Sequence, residues 1–165
     1  MRRDRKRRKS GRSICPIRRN PPSILSWAGI RWERKTEEWL PPVEGILTSS
    51  FGARENPILH KEEFHDGLDI AVAEGTAVLA AKSGTVTEVR NSATYGKLVK
   101  YQTSDGYEVM YAHLSEVLVR KDEKIRQGQT IARSGNTGLS TGPHLHYSVW
   151  KEGELLDPIA FWRVL

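Results

Sequence analysis

The chain of 165 residues holds a single cysteine, Cys15. Without a second one there is no internal disulfide, and Cys₄ or Cys₂His₂ zinc sites are excluded. Long apolar runs are equally scarce. The longest near the N-terminus, "ILSWAGI" at 24–30, is seven residues, too short to cross a bilayer and marginal as the core of a signal peptide. No export signal is legible. Acidic residues are almost missing from the first nineteen positions, where ten Lys/Arg face only Asp4. The other 146 residues carry sixteen basic and nineteen acidic groups, so the net +6 belongs to the tail and the rest of the chain is acidic. That excludes specific nucleic-acid binding by the domain itself, and leaves nucleic acid, anionic lipid or wall polymer as partners for the tail alone.

Residues 1–22 form a like-charge run that repels itself; the expectation is a disordered tail, either merely solvated or touching anionic polymer or a membrane surface. Residues 23–42 form a linker with Trp27, Trp32 and Trp39, ending at Pro41-Pro42. Its stretch "RWERKTEEWL" spaces Trp32, Trp39 and Leu40 for one side of a short helix, and the tryptophans are expected to pack on the domain that follows.

Helical periodicity is the next thing lacking. From Val43 to Leu165 no stretch sustains it, and short β-rich runs alternate with glycine: "GILTSSFG", "GLDIAV", "GTVTEVR", "GKLVKYQT", "YEVMYAHL", "HLHYSVW". This predicts one mostly antiparallel β domain over 43–165. The clearest hairpin is "KLVKYQT-SDG-YEVMYAHL", in which Asp105-Gly106 would supply positive φ for a tight turn. Strict alternation along its second strand would put Tyr107, Val109, Tyr111 and His113 on one face.

What is present is histidine in a particular arrangement. The five histidines, His60, His65, His113, His144 and His146, all fall in the β domain. In "GPHLHYSVW", His144 and His146 alternate on a strand and so share a face. His65 and Asp69 lie in "HDGLD", where Gly67 and the β-like run after it argue for a loop entering a strand. One imidazole, one carboxylate and one histidine of the 144/146 pair make a two-histidine, one-carboxylate set with an open fourth position, the pattern of catalytic zinc. The ligand types alone would also permit iron, but nothing in the sequence suggests oxygen chemistry.

The succession "GILTSSFGAR", "FHDGLDIAV", "GTAVLAAKSGTV", "YGKLVKY", "YAHLS", "GQTIARSGNTGLSTGPHLHYSV" and "LLDP" resembles, in order and spacing, the lysostaphin/LytM-type zinc metallopeptidases, over about Val43 to Ile159. The resemblance implies the β domain of that family (duplicated hybrid motif) and cleavage of peptide bonds in bacterial peptidoglycan, in crosslinks or stem peptides. It assigns one Zn²⁺ per chain to His65, Asp69 and His146, and makes His113 and His144 the unligated catalytic histidines. The metal would polarise the scissile carbonyl and lower the pKa of its water towards about 7. The two free histidines would serve as general base, oxyanion donor and proton donor to the leaving amine, in an order the sequence leaves open. His60 matches no ligand position. Arg54 is read as structural, with a contact to substrate carboxylate as the alternative. Ser148 stands where many members carry an acidic or amide residue, a departure that weakens a contact behind the ligands.

The expected substrate is outside the cytoplasm, and a monomer is expected. The glycine-rich stretch 133–142 is expected to wall a peptide groove as a mobile segment. A non-catalytic, hydrolase-regulating module is the alternative. A likeness of "GTAVLAAKSGTVTEV" to biotinyl and lipoyl carriers is set aside, because Lys82 lacks their lysine signature.

Overall fold

The structure, a computed structural model, describes residues 38–55 and 60–162. The basic tail, Trp27, Trp32 and nearly all of the proposed linker helix lie outside the described residues; Trp39 and Leu40 lie inside, in coil.

In chain order the strands are β1 (Ile46–Ser49), β2 (Gly52–Glu55), β3 (Glu62–His65), β4 (Leu68–Ala71), β5 (Ala77–Leu79), β6 (Gly84–Ser92), β7 (Gly96–Thr103), β8 (Tyr107–Leu114), β9 (Glu116–Val117), β10 (Lys124–Ile125), β11 (Thr130–Arg133), β12 (His144–Lys151) and β13 (Glu154–Leu156), followed by a 3₁₀ turn at Pro158–Ala160. The main sheet runs β1-β4-β12-β8-β7-β6-β10, with β13 added to β12; β5-β11-β9 and β2-β3 make two smaller sheets. All the pairings are antiparallel. The domain is mostly β, as the alternation and glycine spacing imply.

Alternation sorts the main sheet into two faces. Leu68 and Ile70 of β4, Val109 and Tyr111 of β8, and Leu145, Tyr147 and Val149 of β12 all enter the principal core. At about 25 cal/mol per Å² of apolar surface, this layer supplies most of the driving force for folding. The opposite file of β12 carries His144, His146 and Ser148, paired in register with Ala71, Asp69 and Met110 of the flanking strands. The segment before β1 lies on the domain: Leu40 N–H donates to Ala81 O at 3.0 Å, and the Trp39 ring meets Phe161 at 4.5 Å and Tyr107 at 5.2 Å.

Two local expectations need correction. The 104–106 turn takes positive φ at Gly106 alone, +86°; Asp105 instead receives Thr103 Oγ1–H at 2.6 Å and the Lys82 ammonium at 2.5 Å. The second concerns His113. Between Tyr111 and Leu114, β8 spends three steps where its partner β7 spends two, Val99 to Lys97. This extra residue is a bulge, with His113 at φ +57°. Leu114 thereby rejoins the core with Val109 and Tyr111, while His113 turns to the other face. Unbroken alternation would have buried this imidazole in the core; the bulge re-aims it at His144 and His146.

Candidate metal centre

The side chains converge because three strands bring them to one place. His65 ends β3, Asp69 lies mid-β4, and His146 sits opposite Asp69 on β12. His65 Nε2 is 3.1 Å from Asp69 Oδ1 and 3.2 Å from His146 Nδ1, and His146 Nδ1 is 2.9 Å from Asp69 Oδ1. Among the described residues, these three form the group of histidine and carboxylate side chains whose ligand atoms are close enough to share an ion.

Hydrogen bonds on the far side of each ring fix which nitrogen faces inward. His65 Nδ1–H donates to Ser50 O at 2.9 Å, leaving Nε2 as a lone pair toward Asp69. His146 Nε2 meets Ser148 Oγ at 2.8 Å and Asp66 Oδ1 at 3.2 Å. Since an ionised carboxylate only accepts, the proton is on Nε2 and Nδ1 turns to the cluster. Two nitrogen lone pairs and a carboxylate therefore point at each other, an arrangement that requires positive charge between them. Burial lowers the His146 pKa, but the hydrogen bonds and charges of Asp66 and Asp69 outweigh it and raise it to about 8. Asp69 is held well below the ordinary carboxylate range, burial being outweighed by bonds to His146 and His65. In Asp66 the same opposition ends at about 2, with His146 and Tyr95 prevailing.

These residues fit zinc. Ligand atoms about 2.1 Å from a tetrahedral ion stand about 3.4 Å apart, and the separations of 2.9, 3.1 and 3.2 Å are a few tenths shorter. The donor set, two imidazoles and one carboxylate, is also the one zinc accepts. Arg54 completes the surround: it donates to Asp69 Oδ2 at 3.0 Å and to Glu63 at 3.2 Å, and it also reaches Ser49 Oγ. It is thus committed to holding Asp69, which favours the structural reading.

His113 and His144 stand beside the cluster with ring centroids 4.6 Å apart. Each spends Nδ1–H on a backbone carbonyl, His113 on Thr137 O at 2.8 Å and His144 on Gly142 O at 2.7 Å. Both therefore offer Nε2 to the site. The His144 Nε2 lies 3.7 Å from Asp69 Oδ1. Burial drives the His113 pKa down to about 4, against the lift from its Thr137 bond, so this ring is neutral near pH 7. His60 is exposed and meets Glu55 at 3.3 Å.

The stretch 133–142 departs from a mobile wall in its first half. A Cβ on Gly138, at φ +78°, would sit 2.3 Å from Gly96 N, and one on Gly96 would meet Thr137 at 2.3 Å. Glycine at both places lets two turns touch, and Thr137 Oγ1 then bonds Leu114 O at 2.7 Å. This contact anchors the carbonyl that holds His113. The second half borders two cavities of about 460 and 280 Å³, which share Arg54, Asp69, Thr141 and His144. They flank the cluster as one cleft, with the exposed Phe64 and Leu139 on its rim.

Asp66, Tyr95 and the contact of Ser148 escaped the sequence reading. "HDGLD" displays Asp66, but a third acid inside a metal motif carries no signal of its own. Nothing marks Tyr95, 29 positions from the carboxylate it bonds. Lys82 is buried and paired with Asp105, which removes it as a carrier lysine.

The peptidoglycan DD-endopeptidase ShyA of Vibrio cholerae is 40% identical over 108 residues, covering 65% of this chain and 25% of that protein. The murein hydrolase activator NlpD of Escherichia coli is 33% identical over 124 residues, covering 74% and 31%. A crystal structure of a zinc-containing peptidase from Vibrio cholerae superposes with a TM-score of 0.68 at 32% identity, covering 73% of this chain and 39% of that one. The chain thus spans about a quarter to a third of the length of the curated relatives it matches. No helix among the described residues is long and apolar enough to cross a membrane. Since the description of Peptidase family M23 matches residues 63–158, more than half the chain and every residue of the cluster, the chain belongs to that family and has the β domain of its lysostaphin/LytM-type members.

Proposed function

We propose that the chain is a zinc-dependent endopeptidase that hydrolyses peptide bonds of bacterial peptidoglycan, in crosslinks or stem peptides, outside the cytoplasm. The observation that carries this reading is the pairing of a three-acceptor cluster with two backbone-anchored imidazoles on one side of it. His65, Asp69 and His146 would hold the ion. When bound, zinc supplies Lewis acidity towards a carbonyl and a water that is nucleophilic near neutral pH.

The remaining work falls to the chain itself. The cleft on both sides of His144 takes an extended peptide across the sheet face, and Arg54 keeps Asp69 turned to the cluster. The Nε2 atoms of His113 and His144 accept or donate protons at the reacting centre. Their Nδ1–H bonds to Thr137 O and Gly142 O fix the ring planes beforehand, so little reorganisation remains for the transition state. A neutral His113 is suited to accept a proton from water and return it to the leaving amine.

The likeness to NlpD, named a hydrolase activator, favours a second reading, a module that binds wall and regulates other enzymes. Retention of all five residues speaks for catalysis. Mass spectrometry of fragments released from purified peptidoglycan separates the two. New free amines at one bond type, lost under chelation, are expected of the enzyme; zinc bound without release from several wall types would establish the module.

A further inference from the structure

His146 meets the cluster through Nδ1, so whatever holds Nε2 decides how firmly the ring is set. Two groups do so from different directions. Ser148 Oγ, at 2.8 Å, stands two residues along the same file of β12. Asp66 Oδ1, at 3.2 Å, arrives from the β3–β4 connection. A serine hydroxyl donates or accepts, so Ser148 alone does not fix the tautomer. An ionised carboxylate only accepts, so Asp66, paired with the ring at 3.2 Å, keeps the proton on Nε2.

Asp66 is itself held. Its Oδ2 accepts from the Tyr95 hydroxyl at 2.7 Å, and the Tyr95 ring lies 5.6 Å from that of His146. Tyr95 O also takes the His113 backbone N–H at 2.8 Å, so one residue braces a ligand and the bulge that aims His113. The close approach depends on Gly67: a Cβ there would stand 2.5 Å from Tyr147 O, 2.7 Å from Ser148 Oγ and 2.8 Å from His146 Cε1. Any side chain would force the connection, and Asp66 with it, away from β12.

We propose that Asp66, braced by Tyr95, is the positioning residue that locks His146 as a metal ligand in a chain whose strand offers only a serine behind it. This rests on the metal site proposed above. Asp66 is not a ligand, because it meets the ring on the side away from the cluster. Fixing ligand rings from behind is worth roughly 10- to 100-fold in metal affinity.

The test is zinc affinity of the full chain, by competition with a chromophoric chelator, with the His146 ring nitrogens followed by NMR in the zinc-loaded protein. Asp66→Asn keeps size and shape but loses the charge; it should weaken zinc about 10- to 100-fold and shift the His146 Nε2–H resonance upfield. Asp66→Glu should recover part of the affinity, and Tyr95→Phe and Ser148→Ala should each lose less than Asp66→Asn. Wild-type affinity in Asp66→Asn, or a larger loss in Ser148→Ala, would overturn the proposal while leaving the peptidase reading intact. An Asp66→Asn chain that no longer folds without zinc would make the residue structural and overturn it too. A wild-type chain that takes no zinc would overturn both readings together.

Discussion

Strand β12 presents two files of side chains, and each holds residues closed to solvent. Leu145, Tyr147 and Val149 on one face are 0% exposed; His146 and Ser148 on the other are 2% and 0%. Burial therefore does not separate core from site in this protein. The difference emerges when partners are assigned. On the core face, the Tyr101 and Tyr111 hydroxyls share the Ala81 N–H at 3.0 Å each, and the buried Tyr147 hydroxyl has no partner among the described residues. On the site face every imidazole is anchored, yet three acceptors still face one another. One face is an apolar interior that leaves the Tyr147 hydroxyl unmet among the described residues, whereas the other gathers three acceptors that a cation would join.

The sharpest way to break this comparison is His146→Ala. It should abolish zinc binding, measured as metal content after dialysis, and cut fragment release from peptidoglycan by more than about a thousandfold, the several kcal/mol that a Lewis acid supplies. Added zinc should raise the unfolding temperature of the wild type, since ligand at a thousand times Kd adds about 4 kcal/mol; the variant should show no such rise. A His146→Ala chain still stabilised by zinc would dissolve the distinction between the faces.

His113→Ala comes next, and separates ligand from catalyst on the same face. Zinc content should stay at wild-type level while turnover falls roughly 10²- to 10⁴-fold, the usual worth of a positioned acid–base group. On the opposite face Leu145→Ala should cost about 3 kcal/mol of stability, read by denaturant unfolding of the ion-free chain. Zinc should still bind to the fraction that folds. Together the three variants test whether metal, chemistry and folding are held by adjacent residues of two strands.

Much of the site face was legible because a strand has period two. The alternation in "HLHYS" puts His144, His146 and Ser148 together, and the glycine in "HDGLD" announces a turn that brings His65 back toward Asp69. The same rule misplaced His113. A bulge is one residue of extra backbone in one strand, and neither "YEVMYAHL" nor its partner "KLVKYQT" carries a Gly or Pro to mark it. Tyr95 and Asp66 were hidden for a different reason: their bond depends on how two connections stack, and tertiary packing of loops has no local period to read. The glycines in "SGNTG" suggested mobility, whereas Gly138 and Gly96 serve close packing.

Lys82 and Asp105 offer the gentlest test, because they are a charged pair that the protein completes by itself. The Lys82 ammonium, buried, meets Asp105 Oδ2 at 2.5 Å and lies 5.2 Å from the Trp39 ring and 5.6 Å from that of Tyr107. Asp105 is held below its ordinary pKa: slight burial opposes this, and the bonds from Lys82 and Thr103 outweigh it. Such a carboxyl contributes stability that is present in full above its unfolded value, about 3.9, and is lost as pH falls through its lower folded value. Asp105→Asn leaves the buried ammonium without its counter-charge; since Asp105 is one-third exposed, the cost should be nearer 2 kcal/mol than the 3–5 typical of a fully buried pair. Denaturant unfolding should show that gap near pH 7 and its closure below about pH 4, with or without chelator. A gap that chelation erased would tie this pair to the metal, and the boundary between the apolar face and the face of the three acceptors would have to be redrawn.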